Sequence, residues 1–253
     1  MSPLPANVAV SSHPCFISKL SLLRSASTPP KETKALVHEL SLILATEALA
    51  RALTVEKTGE KDVTPLGVTY EIEKVTKSIA LVPILRSGLG MLEAFQTLLP
   101  EPTPVHHLGL FREKVTLQPV EYYNNLPTRA DSSKDERNSP CDIAIVLDPV
   151  IATGGTAEAA IQTLREWGVP KILVVSILGS EEGVSRAATE NGGEGLDVVV
   201  GAIDRELGGD NGGMIVPGYE YFPNPPSHHN QSGLPFLVSA ILATAYSLPS
   251  ENN

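Results

Sequence analysis

The sequence predicts an α/β fold in which helices cover both faces of a mainly parallel sheet and a β-hairpin forms an arm. Three features support this prediction: short continuous apolar runs, helical stretches that follow them, and glycine-containing turns between the two. Strands that are apolar on both faces are typical of parallel sheets, whose strands are connected by helices.

The composition is that of a folded, acidic chain. Its 253 residues allow one large domain or one domain with appendages. With 42% hydrophobic and 19% charged residues, disorder throughout the chain is excluded. The net charge of −10 argues against non-specific binding to nucleic acid or to an anionic membrane. Cys15 and Cys141 are too few for a disulfide framework or a cysteine zinc site, so we expect a reducing, cytoplasmic environment.

The first third of the chain contains one clear helix. Residues 1–12 are interpreted as a flexible lead-in. Residues 1–31 contain no acid and many serines but few basic residues, so a mitochondrial transit peptide is the weaker alternative. After Pro29-Pro30, apolar residues from Leu36 to Leu49 recur at steps of mostly three and four, which predicts a helix. The stretch Gly59–Thr69 contains turn residues and ends it.

The next segment begins a βαβ unit. The apolar run Ile79–Leu85 predicts a buried strand, the glycine-containing segment Arg86–Gly90 a loop, and Met91–Leu99 a helix. Two further stretches, Val105–Phe111 and Leu117–Tyr123, are expected to form the hairpin arm.

Alternation of strands and helices continues after a polar stretch from Asn124 to Pro140, which we expect to be a mobile loop. Further apolar runs predict strands over Ile143–Leu147 and Lys171–Leu178 and another beginning at Val198, with helices over Thr156–Trp167 and near Glu182–Glu190.

The most informative stretch is IAIVLDPVIATGGT, residues Ile143 to Thr156. A buried strand places Asp148 at its carboxyl end, where ligands bind in open α/β sheets. The following Thr-Gly-Gly-Thr turn begins a helix, whose free N–H groups suit a phosphate. A carboxylate nearby can accept hydrogen bonds from sugar hydroxyls, so the pattern fits a ribose 5-phosphate. The alternative is a tight strand-to-helix turn without a ligand; the pattern matches neither the glycine-lysine loop of nucleotide triphosphatases nor the three-glycine dinucleotide motif.

This stretch resembles the phosphoribosyl-pyrophosphate (PRPP) motif of the type I phosphoribosyltransferases, and within that group the chain resembles the uracil phosphoribosyltransferase family. Here Asp148-Pro149 stands where many other type I enzymes have two acids. The resemblance covers about residues 13–218 and includes further matches in the same order: His13-Pro14, Lys19-Leu20 with Leu23-Arg24, Val82–Met91, Phe111-Arg112, Leu117–Tyr123, Ile203-Asp204 and Met214–Gly218.

The resemblance implies an activity and its partners. The family reaction converts uracil and PRPP into UMP and pyrophosphate in pyrimidine salvage. It implies Mg²⁺ that arrives chelated by PRPP, GTP as an effector, and a homo-oligomer, either a dimer or a tetramer. It implies neither a nucleic-acid partner nor a membrane.

The resemblance also implies roles for individual residues, each carried over from a matching position. By resemblance, the pyrophosphate is contacted by Arg86 and Arg112, and the ribose hydroxyls by Asp148. Uracil is contacted by Ile215. The loop that binds the 5-phosphate consists of Ala152, Thr153, Gly154, Gly155 and Thr156. The alternative for Arg112 is a solvated charge. No residue is identified as the general base or as a metal ligand.

Other conspicuous residues have plainer interpretations. Arg24 is expected to form a salt bridge rather than a regulatory or subunit surface. The pair His106-His107 is placed on the predicted arm strand, where neighbouring side chains face opposite ways, and His228-His229 has no acid or cysteine nearby in sequence, so neither pair is expected to bind a metal. Trp167 is expected to pack at a helix end.

The chain departs from the family after Gly218. Family members continue with Leu-Gly-Asp-Ala-Gly-Asp, whereas Glu220, Tyr221 and Phe222 stand here where the family has Gly, Asp and Ala. Residues 219–253 are therefore predicted to be a poorly ordered tail, with translated non-coding sequence such as a retained intron as our interpretation. The alternative is a diverged, catalytically impaired homologue that still binds PRPP or a nucleotide.

Overall fold

The computed structural model describes residues 3–112, 119–127, 139–208 and 214–216. These ranges contain five α-helices: α1 (Pro14–Leu23), α2 (Pro30–Ala52), α3 (Leu89–Leu98), α4 (Gly155–Trp167) and α5 (Glu181–Thr189), with a short 3₁₀ segment over Glu190–Gly193. They also contain twelve strands: β1 (Val8–Val10), β2 (Val55–Val63), β3 (Thr69–Val75), β4 (Ile79–Leu85), β5 (Leu108–Arg112), β6 (Pro119–Asn124), β7 (Ile143–Leu147), β8 (Val150–Ile151), β9 (Lys171–Ser180), β10 (Leu196–Asp204), β11 (Glu206–Gly208) and β12 (Met214–Val216).

A central eight-stranded sheet confirms the predicted fold class. Its order is β1-β10-β9-β7-β4-β5-β6, and the short β8 also pairs with β9. All neighbouring pairs are parallel except β5 with β6, which is antiparallel. The parallel strands are joined by helices, as the apolar runs in the sequence predict.

Two hydrophobic cores cover the two faces of this sheet. In β7, Ala144 and Val146 belong to the core formed with α4 and α5, while Ile145 and Leu147 belong to the core formed with α1, α2 and α3. Successive side chains of a strand point to opposite faces, so a strand between two helical layers must be apolar at every position. This is why β7 is buried along its whole length.

The predicted arm is present, and a second hairpin was not predicted. Strands β5 and β6 pair antiparallel with Phe111 opposite Val120, which confirms the arm. Strands β2 and β3 form a separate antiparallel pair outside the central sheet, so the turn residues of Gly59–Thr69 connect two strands that were not predicted. Its residues are almost all exposed, and a hairpin that covers no core lacks the apolar alternation by which strands are recognised.

The prediction of a flexible lead-in over residues 1–12 is wrong for Val8–Val10. These residues form β1, which pairs in parallel with Val198–Val200 of β10. The Asn7 side-chain amide fixes the segment further by donating to Ala188 O and Leu196 O, both at 2.9 Å. The hydrogen bonds of the paired backbone groups and of this side chain order the segment. A strand of three residues is too short to show a hydrophobic period in the sequence, so it was not predicted.

Helix α1 was also not predicted from the sequence. It begins after His13, whose Nδ1 accepts a hydrogen bond from the Cys15 N–H at 3.2 Å. Phe16 packs this helix onto β10 so closely that a Cβ on Gly201 would lie 1.9 Å from its ring. Glycine at position 201 is therefore what lets the helix reach the sheet.

Some predictions concern residues outside the described ranges. Residues 128–138 of the predicted mobile loop and the tail from residue 219, with His228-His229, belong to these. Within the described part, no helix is long and apolar enough to cross a membrane. Both cysteines are free: Cys15 is exposed and Cys141 is buried.

Candidate functional site at the carboxyl edge of the sheet

The chain reverses its direction of travel across the sheet between β4 and β7. After β4, α3 carries the chain to β5 on one side, and after β7, α4 carries it to β9 on the other. The loops that follow β4 and β7 therefore diverge and leave a crevice at the carboxyl ends of two adjacent strands, where α/β proteins bind ligands. Arg86 lies on the first loop and Asp148 on the second, so the fold brings these two predicted site residues to one edge.

A buried hydrogen bond joins the two loops. Ser87 Oγ lies 3.2 Å from Asp148 Oδ1, and both residues are less than a tenth exposed. Burial raises the pKa of Asp148 to about 7, against the smaller opposing effects of the Ser87 hydroxyl and the Val150 N–H, which favour the ionised carboxylate. An acid whose pKa lies near neutrality in a crevice is typical of functional sites.

Arg86 is exposed at the crevice. It follows the buried strand β4 across a cis peptide bond, and its side chain makes no hydrogen bond or ion pair with any residue in the described ranges. The guanidinium is placed where an anionic ligand can reach it.

The predicted phosphate loop opens α4 as expected. Gly154 adopts a left-handed conformation with φ of 81°, and the helix begins at Gly155 without a side-chain cap. The first backbone N–H of α4 to form a helical hydrogen bond is that of Glu158, which donates to Gly154 O at 2.9 Å. The preceding N–H groups of the first turn therefore remain available for an anion.

The neighbouring helix α5 supports this loop, and the sequence analysis missed its contribution. Ser180 caps α5 by accepting from the Gly183 N–H at 2.8 Å and donates to Ala152 O at 2.5 Å. A Cβ on Gly183 would lie 2.0 Å from Ala152 O, so only glycine lets the loop approach α5 so closely. A Ser-x-x-Gly pattern after a strand could have indicated the cap, but nothing in the sequence indicates the close approach.

The arm lies beside the phosphate loop. A Cβ on Gly155 would be 3.9 Å from Pro119 Cδ, and Pro119 pairs with Arg112 across the arm. The backbone of Arg112 is thus held near the start of α4. The two half-buried threonines of the loop, Thr153 and Thr156, flank the glycines there.

Ile215 lies on a small hairpin that follows the end of β10. It pairs with Leu207 between β11 and β12 and is 6% exposed. Because β10 is parallel to β9 and β7, its carboxyl end reaches the edge that carries the other site residues. At this end Asp204 Oδ1 accepts a hydrogen bond from Arg24 Nη2 at 2.9 Å, which confirms the expected salt bridge.

The remaining conspicuous residues have structural roles. Trp167 ends α4, donates through its ring N–H to Pro127 O at 3.0 Å and packs edge-on against His106, which confirms the predicted helix-end packing. His106 and His107 precede β5, so their predicted place on a strand is wrong. The His106 N–H donates to Leu81 O and the His107 N–H donates to Asn125 Oδ1, which holds this segment before the arm pairing starts. Among the described residues, no group of three or more His, Cys, Asp or Glu side chains could hold a metal ion.

Comparison with known proteins gives a consistent result. The family model for uracil phosphoribosyltransferase matches residues 10–224. The chain is 39% identical over 213 residues to the uracil phosphoribosyltransferase of Roseiflexus sp., covering 84% of this chain and 94% of that one. It is 37% identical over 213 residues to the uracil phosphoribosyltransferase of Alkaliphilus oremlandii, with the same coverage.

A solved structure supports the fold as well. The AQ2163 protein of Aquifex aeolicus superposes with a TM-score of 0.71 at 30% identity, covering 84% of this chain and 93% of that one. The family match includes the phosphate loop, the loop Arg86–Gly90 (the arginine loop) and the β11–β12 hairpin. The chain belongs to the uracil phosphoribosyltransferase family.

Proposed function

We propose that the protein transfers the 5-phosphoribosyl group of PRPP to uracil and forms UMP and pyrophosphate. The observation that carries the proposal is the meeting of Asp148, the arginine loop and the uncapped start of α4 at one switch point of the sheet. Each group there suits a different part of PRPP, which has a pyrophosphate, a ribose and a 5-phosphate.

The 5-phosphate is assigned to residues 152–156. Free N–H groups at the start of α4 and the hydroxyls of Thr153 and Thr156 can donate to its oxygens. In contrast, the start of α5 at the same edge has its Gly183 N–H taken up by Ser180. This difference favours α4 as the phosphate-binding helix.

The ribose and pyrophosphate lie between the two loops in this proposal. Asp148 accepts hydrogen bonds from the ribose hydroxyls, while Arg86 and Arg112 hold the pyrophosphate. In the reaction the bond between C1 of ribose and the pyrophosphate oxygen breaks, uracil N1 bonds to C1, and N1 loses its proton. Negative charge grows on the leaving pyrophosphate, which arginines stabilise well because their charge is permanent and their N–H groups are forked.

Uracil is assigned to the hairpin that carries Ile215. Strand β11 follows directly from the end of β10, so the hairpin extends from the edge where the ribose would lie. A buried apolar side chain there can pack against the flat face of the base. Holding both reactants in line is the main task of the protein in such a transfer.

Mg²⁺ enters as part of the substrate in this proposal. The ion prefers phosphate oxygens with few protein carboxylates, and the donor set of the described residues suits that mode better than an all-protein cage. PRPP would therefore bring the ion with its phosphates. GTP as an effector, a homo-oligomeric state and a cytoplasmic location stay predictions from the family resemblance.

The test is product formation from PRPP with a panel of bases. We expect the full chain to form UMP from uracil and PRPP, and no nucleotide from hypoxanthine. Formation of a purine nucleotide instead would overturn the uracil assignment.

The second candidate is an impaired homologue that binds PRPP, favoured by the replacement of the family's glycine-rich ending after Gly218. PRPP binding without UMP formation would support it. In that case a chimera that carries the Leu-Gly-Asp-Ala-Gly-Asp ending after Gly218 should gain uracil transfer, since the chain keeps the residues that we assign to PRPP.

A further inference from the structure

A side-chain hydrogen bond from Ser87 joins the two loops of the candidate site. Ser87 lies directly after Arg86 on the loop that follows β4, and its hydroxyl reaches the Asp148 carboxylate at the end of β7. Both residues are shielded from bulk water. The bond therefore connects the part of the crevice assigned to pyrophosphate with the part assigned to ribose.

Building on the proposed function, we propose that Ser87 is a positioning residue that orients Asp148 for the ribose hydroxyls and couples the ribose site to the arginine loop. A carboxylate has about four acceptor positions. The Ser87 hydroxyl and the Val150 N–H both bond to the Asp148 carboxylate, so two internal donors orient it and leave acceptor positions for the ribose.

The loop that carries Ser87 is held tightly against β7. A Cβ on Gly88 would lie 2.1 Å from Leu147 O and 2.7 Å from Ile84 N, so the backbone of the loop packs directly on both strands. The Gly88 N–H also donates to Ile84 O at 2.8 Å. Because its backbone cannot shift easily, the Ser87 hydroxyl is a fixed donor rather than a mobile surface group.

No charged side chain of the described residues stabilises the Asp148 carboxylate in place of the Ser87 hydroxyl. The influences on its pKa are burial, the Ser87 hydroxyl and the Val150 N–H, with no charged side chain of the described residues among them. Arg86 on the adjacent loop is exposed. The β9 stretch beside Asp148, Val174 to Ser176, is uncharged, and in the first turn of α4 Glu158 is paired with Arg186.

The test is the Ser87→Ala variant of the full chain, with Ser41→Ala as the matched control. Ser41 is also a buried serine, but its hydroxyl donates to Val37 O within α2 and bonds to neither loop of the crevice. Ser87→Ala removes a donor that favours the ionised form of Asp148, so the pKa of Asp148 must rise. We expect a rise of about one pH unit, the effect of one long hydrogen bond to a charged group.

Two readouts separate this proposal from the proposed function. Carboxyl ¹³C NMR of the ligand-free protein follows the titration of Asp148 directly and needs no catalysis. The pH dependence of kcat/KM for PRPP follows the same group during turnover. With a wild-type pKa of about 7, the ionised fraction at pH 7 should fall from about a half to about a tenth in Ser87→Ala.

We expect kcat/KM for PRPP at pH 7 to fall about fivefold in Ser87→Ala and to recover as the pH rises, while Ser41→Ala keeps the wild-type profile. Ser87→Cys, which keeps a weak donor, should give an intermediate pKa. An unchanged Asp148 titration in Ser87→Ala would overturn the positioning role even if UMP is formed. Absence of UMP in the wild type, with a shifted titration in Ser87→Ala, would count against the proposed function and leave the Ser87–Asp148 coupling standing.

Discussion

Asp148 is held in a position that costs the free protein stability. Its carboxylate is buried at the end of an apolar strand, and the two internal donors around it do not offset the loss of water. A carboxylate in this state gains when ribose hydroxyls donate to it. In the proposed function, Asp148 therefore combines a stability cost in the free protein with ribose binding, as residues of functional sites often do.

The first prediction is that Asp148→Asn stabilises the free protein and abolishes its activity. In the unfolded chain the carboxyl ionises near pH 3.8, whereas in the folded chain it ionises near pH 7. The contribution of Asp148 to the free energy of unfolding thus falls as the pH rises between these values and stays lower above them. The asparagine side chain of the variant is uncharged at every pH, so it carries no such cost, and its carbonyl oxygen can still accept from Ser87.

Urea unfolding at pH 4 and pH 8 measures the effect. The advantage of Asp148→Asn should be small at pH 4 and larger at pH 8, with about 4 kcal/mol as its upper limit. An equal difference at both pH values would show that Asp148 is not an ionised buried group at pH 8.

The second prediction concerns Arg86. Its exposed guanidinium has no described protein partner, so Arg86→Ala should leave folding intact and weaken PRPP binding. Loss of a hydrogen bond to a charged group, about 1.5–3 kcal/mol, corresponds to a roughly ten- to hundredfold lower kcat/KM. Arg51→Ala is the control, because Arg51 pairs with Asp197 near the amino end of β10, at the opposite edge of the sheet. Equal kinetics for both variants would remove Arg86 from the site.

At the scale of elements, the start of α4 depends on its close approach to α5. Gly154 has a φ of 81°, and a Cβ on it would lie 2.6 Å from Gly183 O. Gly67 in the β2–β3 turn has a similar φ of 78° but no atom within 4 Å of such a Cβ. Alanine at position 67 would therefore cost stability only through its left-handed backbone conformation. Alanine at position 154 would add the cost of the clash between its Cβ and α5.

The third prediction follows from this pair. Gly67→Ala should lose about 1–2 kcal/mol of unfolding free energy, the cost of a left-handed alanine. Gly154→Ala should lose a further 1–3 kcal/mol, roughly the cost of overpacking, and should also bind PRPP more weakly because the phosphate loop must shift. Chemical unfolding and PRPP titration of both variants check this. Equal losses of stability with unchanged PRPP binding in Gly154→Ala would contradict the role of the loop.

Elements buried between two layers could be predicted from the sequence, and exposed or very short ones could not. Strands β4, β7 and β9 were predictable because burial on both faces leaves only apolar residues. The β2–β3 hairpin and β1 were missed because exposed or three-residue strands carry little pattern. At the site, Asp148 and the glycine loop follow from local sequence, whereas Ser87 and Gly183 act through contacts between distant segments.

At the scale of the whole molecule, the β2–β3 hairpin lies outside the two cores. Strands β2 and β3 and their turn expose several large apolar side chains, including Val63, Leu66 and Val68. Exposed apolar groups of this kind are typical of interaction surfaces, which fits the proposed homo-oligomer.

The fourth prediction is that the hairpin contributes to assembly. Replacing Leu66 and Val68 together by Asp should lower the mass measured by sedimentation and leave thermal unfolding of the subunit nearly unchanged, since both side chains are exposed. The matched control is Leu66→Ser with Val68→Thr, which is polar but uncharged and should weaken assembly less. A wild-type mass for the Asp variant would exclude the hairpin from the interface.

The central claim of this account is that the loops after β4 and β7 form one crevice in which PRPP reacts with uracil. Measuring the products of that reaction tests the claim most directly. The full chain, Arg86→Ala and Asp148→Asn should be incubated with PRPP, Mg²⁺ and labelled uracil, and both UMP and pyrophosphate quantified. We expect the wild type to form the two products in equal amounts and both variants to form far less. Equal UMP formation by the wild type and Asp148→Asn, or pyrophosphate released without UMP, would contradict the account.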